Sequence, residues 1–578
     1  MDQRATPFDL VIRGGTLADG SGAPLREADV GIRGERIVAV DARLARGTRE
    51  IDARGRLVTP GFVDIHSHYD GQACWDPHLW PSSQHGVTTA VMGNCGVGFA
   101  PVHARDHDRL IELMEGVEDI PGVALQEGLR WNWESFADYL DAIDALPRDI
   151  DIAAQLPHAA LRLYVMGDRA VALEDATPDE IARMRSLARD AMAAGALGFS
   201  SSRSLNHRTV GGDPTPTLRA TEAELTGIAQ GLADAGRGVL QFISDFAPDG
   251  VAEFDMLKRV ARTSGRPISI SLAQRPATPT AWRQRLELIE QANREGIAFR
   301  AQVAPRPVGV LFGLMTSRNP LSDCPSFVAL AALSLEEKVA AMRDPALRAR
   351  ILAEAAHHVP EVIGRRGLDF RFVFPLGDPP DYEPPAERSI AAIAKRTGVE
   401  PIEAAYDALL ARDGRELLLY PFANYADGNL DACGEMLAHP HTVPGLADGG
   451  AHVGLICDGS FPTYTLAHWG RDRSHGRLPV ERLVEMLTSR SAAAVGLLDR
   501  GLVATGYKAD LNIIDMDRLA IEPPEIRFDL PAGGRRFHQR ARGYEATVVS
   551  GQVSYVAGEP TGVLAGRLVR SRLPVEHR

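Results

Sequence analysis

Cysteine is scarce in this chain of 578 residues. The five cysteines lie at positions 74, 95, 324, 433 and 457, too few and too widely spaced for a disulfide framework. An odd number also leaves at least one of them unpaired. We therefore expect reduced thiols and predict a cytoplasmic location.

Long apolar runs and basic clusters are absent as well. No segment approaches the roughly 18 apolar residues of a membrane span, and the N-terminal residues lack the apolar core of a secretory signal. The net charge of −13 is spread along the chain without a block of Lys and Arg that would follow a phosphate backbone. We predict neither a membrane nor a nucleic-acid partner, and homo-oligomerisation stays open.

What is present is an ordinary globular composition, with 45% hydrophobic and 24% charged residues. At both ends of the chain, short β-type runs follow one another with glycine turns and no helices between them. These runs begin near residue 8 and return near residue 509. We predict that residues 1–58 and 499–578 form the two parts of one small β domain.

Between these ends, short apolar runs alternate with longer helical stretches, which is the pattern of parallel βα units. Eight such runs indicate an α/β fold of the (β/α)₈ barrel type over residues 59–498. A long gap between the seventh and eighth runs predicts an insertion at about residues 304–440, a candidate lid over the barrel mouth. The predicted strands are 61–65, 88–92, 150–155, 196–200, 239–243, 268–272, 298–303 and 442–447.

The strongest local motif is a hydrophobic strand that ends in His66 and His68. Side chains two residues apart on a strand share a face, so both imidazoles can bind one cation beyond the carboxyl end of the strand. Barrel enzymes place their active sites at that end. The alternative is a pair of loop histidines without a ligand.

Four separated motifs resemble the amidohydrolase superfamily, and more narrowly its N-acyl-D-amino-acid deacylase (D-aminoacylase) branch. The resemblance extends from about residue 8 to about residue 557 and implies a metal-dependent barrel beside a β-sandwich. The motifs are Val11-Ile-Arg-Gly-Gly-Thr-Leu-Ala-Asp-Gly20, Pro60-Gly-Phe-Val-Asp-Ile-His-Ser-His68, Gly93-Asn-Cys-Gly96 and Asp499-Arg-Gly-Leu-Val-Ala-Thr-Gly-Tyr-Lys-Ala-Asp510.

The resemblance also implies the metal ligands. His66 and His68 come from the first strand, Cys95 follows the second strand as a thiolate ligand, and Asp448 follows the last strand as both a ligand and the catalytic acid and base. A carboxylate suits that role because the attacking water must lose a proton and the leaving amine must gain one. The alternatives are a buried core thiol for Cys95 and a turn-forming aspartate before Gly449 and Gly450 for Asp448.

The chain departs from the family at strands five and six, where relatives carry metal-binding histidines. No histidine occurs between His207 and His357, and none of the four lysines lies in the predicted fourth strand, where many relatives bridge two metals with a carboxylated lysine. Amides and hydroxyls are poor substitutes for imidazole on a zinc-like ion. We therefore predict one firmly bound divalent metal ion, Zn²⁺.

A further set of polar residues follows the predicted strands and is predicted to contact the substrate. For His158 the alternative is a helix-capping role, for His452 a local hydrogen bond, and for the arginines a place at the surface. The set is Tyr69, His158, Arg203, Gln241, Gln274, Arg275 and His452.

Together these features predict an amidohydrolase that cleaves a small-molecule amide, an N-acyl amino acid or a related compound. Metal-bound hydroxide is the expected nucleophile and Asp448 the expected general acid and base. One alternative is a cyclic amidase or a deaminase on the same fold. The other is a metal-poor relative that binds a ligand without catalysis, which the missing histidines would explain.

Overall fold

The centre of the molecule is a barrel of parallel strands. The structure, a computed structural model, describes residues 7–246, 250–358, 361–362 and 365–571. Within them, eight strands pair in parallel with their neighbours along the chain, which confirms the predicted barrel. They are Phe62–Asp64, Val87–Met92, Asp151–Pro157, Gly198–Arg203, Val239–Ser244, Ile268–Ser271, Phe299–Val303 and Thr442–Pro444.

The barrel closes just beyond its first and last strands. A parallel bridge joins Ser67 to Gly449, the amide of Asp448 donates to the carbonyl of His66 at 3.0 Å, and the amide of His68 donates to the carbonyl of Gly449 at 2.8 Å. The residues that follow the two strands therefore lie side by side, although some 380 positions separate them in the sequence.

Helices cover the outside of the barrel, and local sequence signals set their ends. In Pro178–Ala194, Thr177 and Glu180 form a capping box, proline occupies the first turn, and Gly195 ends the helix in a left-handed conformation, which glycine adopts without steric cost. The other helices outside the insertion, including short 3₁₀ and π segments, are Gln72–Cys74, Ser82–His85, Ala104–Asp106, His107–Glu118, Gly122–Gly128, Phe136–Asp144, His158–Met166, Asp168–Val171, Glu222–Asp234, Val251–Ser264, Ala281–Arg294, Phe461–Tyr464, Thr465–Asp472, Val480–Glu485, Met486–Arg490, Ser491–Ala494 and Pro531–Gly533.

The two chain ends form one β-rich domain. Within the described residues, nine of their strands form a single mixed sheet, and the N- and C-terminal parts meet where Leu57–Pro60 pairs antiparallel with Leu511–Ile514. The remaining strands of this sheet are Phe8–Leu17, Arg26–Arg33, Arg36–Asp41, Gly47–Asp52, Tyr544–Val549, Gln552–Val556 and Glu559–Pro560. Two small antiparallel strand pairs accompany it, Glu525–Leu530 with Gly534–His538 and Ala520–Ile521 with Ala541–Arg542.

The insertion between the seventh and eighth barrel strands has a hydrophobic core of its own. Its three-stranded sheet consists of Val308–Phe312, Leu418–Ala423 and Phe374–Pro375. Its helices are Pro325–Val328, Leu335–Met342, Pro345–Ala355, Phe370–Phe372, Ala386–Arg388, Ile390–Thr397, Pro401–Leu409, Ala411–Gly414 and Asp431–Ala438, and a short pair of strands, Glu361–Val362 and Arg365–Arg366, completes it.

No helix among the described residues is both long and apolar enough to cross a membrane. The boundaries of the three predicted regions, and the role of the insertion as a lid, stay predictions.

Candidate metal centre

Three buried side chains meet at the carboxyl end of the first two barrel strands. His66, His68 and Cys95 each offer one ligand atom, and these atoms all lie within 4.8 Å of one another. In the part of the chain that the structure describes, they are the one group of three or more such side chains with metal-binding spacing. Asp448 joins them because its Oδ1 lies 3.4 Å from His66 Nε2 and 3.6 Å from His68 Nε2.

Both imidazoles present the same nitrogen to the centre of this cluster. His66 Nδ1 lies 2.5 Å from Oε1 of Gln302, and its Nε2 lies 3.3 Å from Sγ of Cys95. His68 Nδ1 lies 3.3 Å from Oε1 of Glu118, and its Nε2 faces Asp448. An acceptor oxygen behind each ring favours the proton on Nδ1, which leaves the Nε2 lone pair free for a cation.

Unusual backbone conformations aim these side chains. Cys95, Asp448 and His452 have φ values of 54°, 47° and 49°, in the left-handed region that costs an L-residue about 1–2 kcal/mol. Residues held in such conformations cluster at functional sites, where the surrounding structure stabilises them. The turn after Met92 and the loop after the last strand therefore hold non-glycine residues in left-handed conformations, which ordinary connections seldom do.

Burial and neighbouring charges shift the pKa values of the cluster. Burial lowers the pKa of His66 to about 4 and raises the pKa of Cys95 to about 12. Burial also acts to lower the pKa of His68, but the charge of Glu118 and the contacts with Asp448 and Cys95 outweigh it and hold that pKa well above its ordinary value. For Asp448 burial acts to raise the pKa, yet the close contact with His68 and the charges of the nearby histidines hold that pKa well below its usual range.

The residues present fit one divalent cation. Two imidazole nitrogens, a carboxylate oxygen and a sulfur are donor types that proteins offer to zinc. Oδ1 of Asp448 is buried and has no hydrogen-bond partner among the described residues. This carboxylate oxygen is therefore free to act as a metal ligand. A nearby cation also favours the thiolate form of a cysteine.

Two of the residues predicted to contact the substrate lie at this centre. Oε1 of Gln241, on the fifth barrel strand, accepts a hydrogen bond of 3.2 Å from the amide of Cys95. His452 is partly exposed, and its Nε2 lies 3.4 Å from Oε2 of Glu118.

The other predicted contact residues have protein partners away from the cluster. The Tyr69 hydroxyl bonds to Ser82 and to the carbonyl of Leu79, and His158 is buried between Ser201 and Glu224. The last three pair with carboxylates: Arg203 with Glu253, Gln274 with Asp427 and Arg275 with Asp245.

Sequence reasoning missed two residues of the centre. Gln302 is a buried amide on the seventh strand, where its side chain faces His66, and a polar residue in a strand whose one other polar member is Arg300 was an available signal. Glu118 ends the helix His107–Glu118, and nothing in its local sequence indicates a link to the first strand.

Comparisons with known proteins identify relatives that match most of the chain. The model of the Amidohydrolase family matches residues 49–555. D-aminoacylase of Alcaligenes xylosoxydans xylosoxydans is 30% identical over 97% of this chain and 98% of its own length. N-acyl-D-glutamate deacylase of the same organism is 30% identical over 88% of both chains.

A solved structure of D-aminoacylase covers 98% of this chain and 100% of its own, with 26% identity and a TM-score of 0.64. It is described as having a binuclear metal centre that one metal activates and a second metal attenuates.

Proposed function

Because this chain belongs to the amidohydrolase family, in its D-aminoacylase-like branch, we propose that it hydrolyses the amide bond of an N-acyl amino acid, and of the D enantiomer in particular. Membership makes it a metal-dependent hydrolase of carbon–nitrogen bonds other than peptide bonds. The names of two relatives that match most of its length support the substrate class.

The observation that carries this proposal is the convergence of four donor side chains. His66, His68, Cys95 and Asp448 lie around one point at the carboxyl end of the barrel. We propose that they hold a single Zn²⁺ ion. When bound there, such an ion lowers the pKa of a water molecule towards about 7 and polarises the amide carbonyl.

The fifth and sixth strands support one ion rather than two. Gln241 on the fifth strand uses its Oε1 to accept from the amide of Cys95, and the sixth strand, Ile268–Ser271, consists of isoleucine and serine. Neither strand offers an imidazole or a carboxylate. The activation of a D-aminoacylase by one metal makes a mononuclear site compatible with catalysis.

Asp448 is the proposed acid and base. Its carboxylate lies at the junction of the first and last strands, and its side chain is 13% exposed. It accepts the proton of the attacking water and returns it to the leaving nitrogen, a task that requires one group with access to both. The exposed edge of His452 is the proposed contact for the substrate.

The test combines metal analysis with a substrate screen. Purified protein is analysed for zinc and then assayed against N-acyl D- and L-amino acids, with His66→Ala as the test variant and the exposed His475→Ala as its control. We expect about one zinc ion per chain, release of the acyl acid, and loss of both in His66→Ala only. Release of ammonia would indicate a deaminase, and neither zinc nor turnover would indicate a binding protein.

A further inference from the structure

One buried carboxylate of the metal centre comes from a helix rather than from a barrel strand. Glu118 is the last residue of the helix His107–Glu118, and its side chain is 1% exposed. The helix ends there because Asp119 adopts a left-handed conformation with φ 52°. The chain therefore turns away at the point where the carboxylate reaches the site.

The two oxygens of Glu118 contact two different imidazoles. Oε1 lies 3.3 Å from Nδ1 of His68, and Oε2 lies 3.4 Å from Nε2 of His452. These are ion-pair distances, longer than a short hydrogen bond. The backbone carbonyl of Glu118 also accepts a hydrogen bond from the amide of His452.

The next residue, Asp119, holds the same loop in a different way. Its Oδ2 accepts from the amide of Gly454 and from the hydroxyl of Ser317, both at 3.0 Å. Asp119 therefore connects the helix end to the loop after the last strand and to the insertion, and in the described structure no hydrogen bond or ion pair joins it to either imidazole.

The position of Glu118 is electrostatically unfavourable. The carboxyl end of a helix carries a partial negative charge that disfavours a carboxylate, and burial removes the carboxylate from water. Asp119 supplies a contact to the loop without entering the cluster. Asp119 already anchors the helix end to the loop. Anchoring therefore does not explain why a second carboxylate, that of Glu118, is fully buried at this point.

We propose that Glu118 is a positioning residue of the metal centre, which fixes His68 through Nδ1 and His452 through Nε2 at the same time. Holding the proton of His68 on Nδ1 directs the Nε2 lone pair towards the metal site. Holding His452 keeps that imidazole beside the proposed substrate position. The inference rests on the proposed metal centre.

The test measures zinc affinity in variants that differ at one atom. Glu118→Gln keeps the size of the side chain and removes its charge. Asp119→Asn makes the same change at the residue that holds the loop but not His68, and Glu112→Gln makes it on the exposed face of the same helix. Zinc binding is measured by competition with a chelator, and circular dichroism of the metal-free proteins checks folding.

We expect Glu118→Gln to weaken zinc binding by about 10- to 100-fold, the usual effect of removing a carboxylate behind a metal-binding histidine. Asp119→Asn and Glu112→Gln should stay within about 3-fold of the wild type. Equal affinity of Glu118→Gln and wild type would overturn the inference, and so would an equal loss in Asp119→Asn.

If Glu118→Gln does not fold, Glu118→Asp decides, because a side chain one methylene shorter keeps the charge but withdraws it from both rings. The same loss of affinity is then expected, and wild-type affinity overturns the inference. Failure of the wild type itself to bind zinc would instead contradict the proposed function, so the two failures are distinguishable.

Discussion

At the residue scale, the two histidines of the first strand have different electrostatic surroundings. Behind His66 stands the neutral amide of Gln302, so burial dominates and the pKa of His66 falls to about 4. Behind His68 stands the carboxylate of Glu118, which together with the contacts with Asp448 and Cys95 outweighs burial and holds the pKa of His68 well above its ordinary value. Two residues of one motif thus receive opposite shifts from groups on distant segments.

Asp448→Asn tests the proposed acid and base. The amide keeps the shape of the side chain but cannot take up and return a proton, so kcat should fall by about 10²- to 10⁴-fold. The assay uses the best N-acyl amino acid of the screen at saturating zinc, so that weaker metal binding does not limit the rate. The exposed Asp472→Asn serves as a control, and a near-wild-type kcat in Asp448→Asn would exclude the role.

At the scale of elements, one partly buried carboxylate ties the insertion to the helices after the last barrel strand. Glu383 lies 2.8 Å from Nε2 of His468 and 2.9 Å from Nη2 of Arg473, and it accepts from the amide of Leu430 at 2.9 Å. Burial acts to raise the pKa of Glu383, but these bonds lower it from 4.5 to about 2. We therefore expect this attachment of the insertion to depend on pH.

Glu383→Gln should lower the free energy of unfolding at pH 7 by about 3 kcal/mol, because it leaves Arg473 without one of its charged partners. A carboxyl group with a lowered pKa contributes stability above its unfolded pKa of about 4.5 and loses it as pH falls towards about 2. The difference in free energy of unfolding between wild type and variant, measured by urea unfolding, should therefore become smaller below about pH 4.5. A difference in free energy of unfolding that stays constant with pH would contradict this account. So would an equal difference in the control variant Glu387→Gln, whose side chain is exposed in the wild type.

At the scale of the whole molecule, a buried cluster of charges joins the barrel to the C-terminal segment. Oδ2 of Asp151, at the start of the third barrel strand, lies 2.7 Å from Arg500 and 2.8 Å from Lys508, and Lys508 also pairs with Asp510 at 2.9 Å. Burial acts to raise the pKa of Asp151, but the two cations lower it. The charges compensate one another only when both regions are in place.

Asp151→Asn should destabilise the protein by about 3–5 kcal/mol, since it leaves two cations buried without their shared partner. Asp499→Asn is the matched control: Asp499 also contacts Arg500, but its side chain is 46% exposed, and an exposed pair contributes about 1 kcal/mol or less. Calorimetry of both variants gives the comparison. Equal midpoints for the two would mean that the cluster does not stabilise the junction.

Much of the fold could be predicted from local patterns. Each of the eight predicted strands overlaps a strand of the barrel, because a short buried run between helices is encoded in a few adjacent residues. The pairing of the two chain ends in one sheet was also predictable, because both ends consist of short β-type runs separated by glycine turns. The motif around His66 and His68 indicated the end of the barrel where the donors meet.

The sequence alone therefore determined the type of fold and the family, and it predicted the donor residues for a metal ion. Only the tertiary structure decided which groups stand behind those donors, because Glu118 and Gln302 reach the centre from a helix end and from another strand. It also gave most of the other predicted contact residues partners within the protein. Such contacts depend on how distant segments pack, and no local pattern of residues encodes that packing.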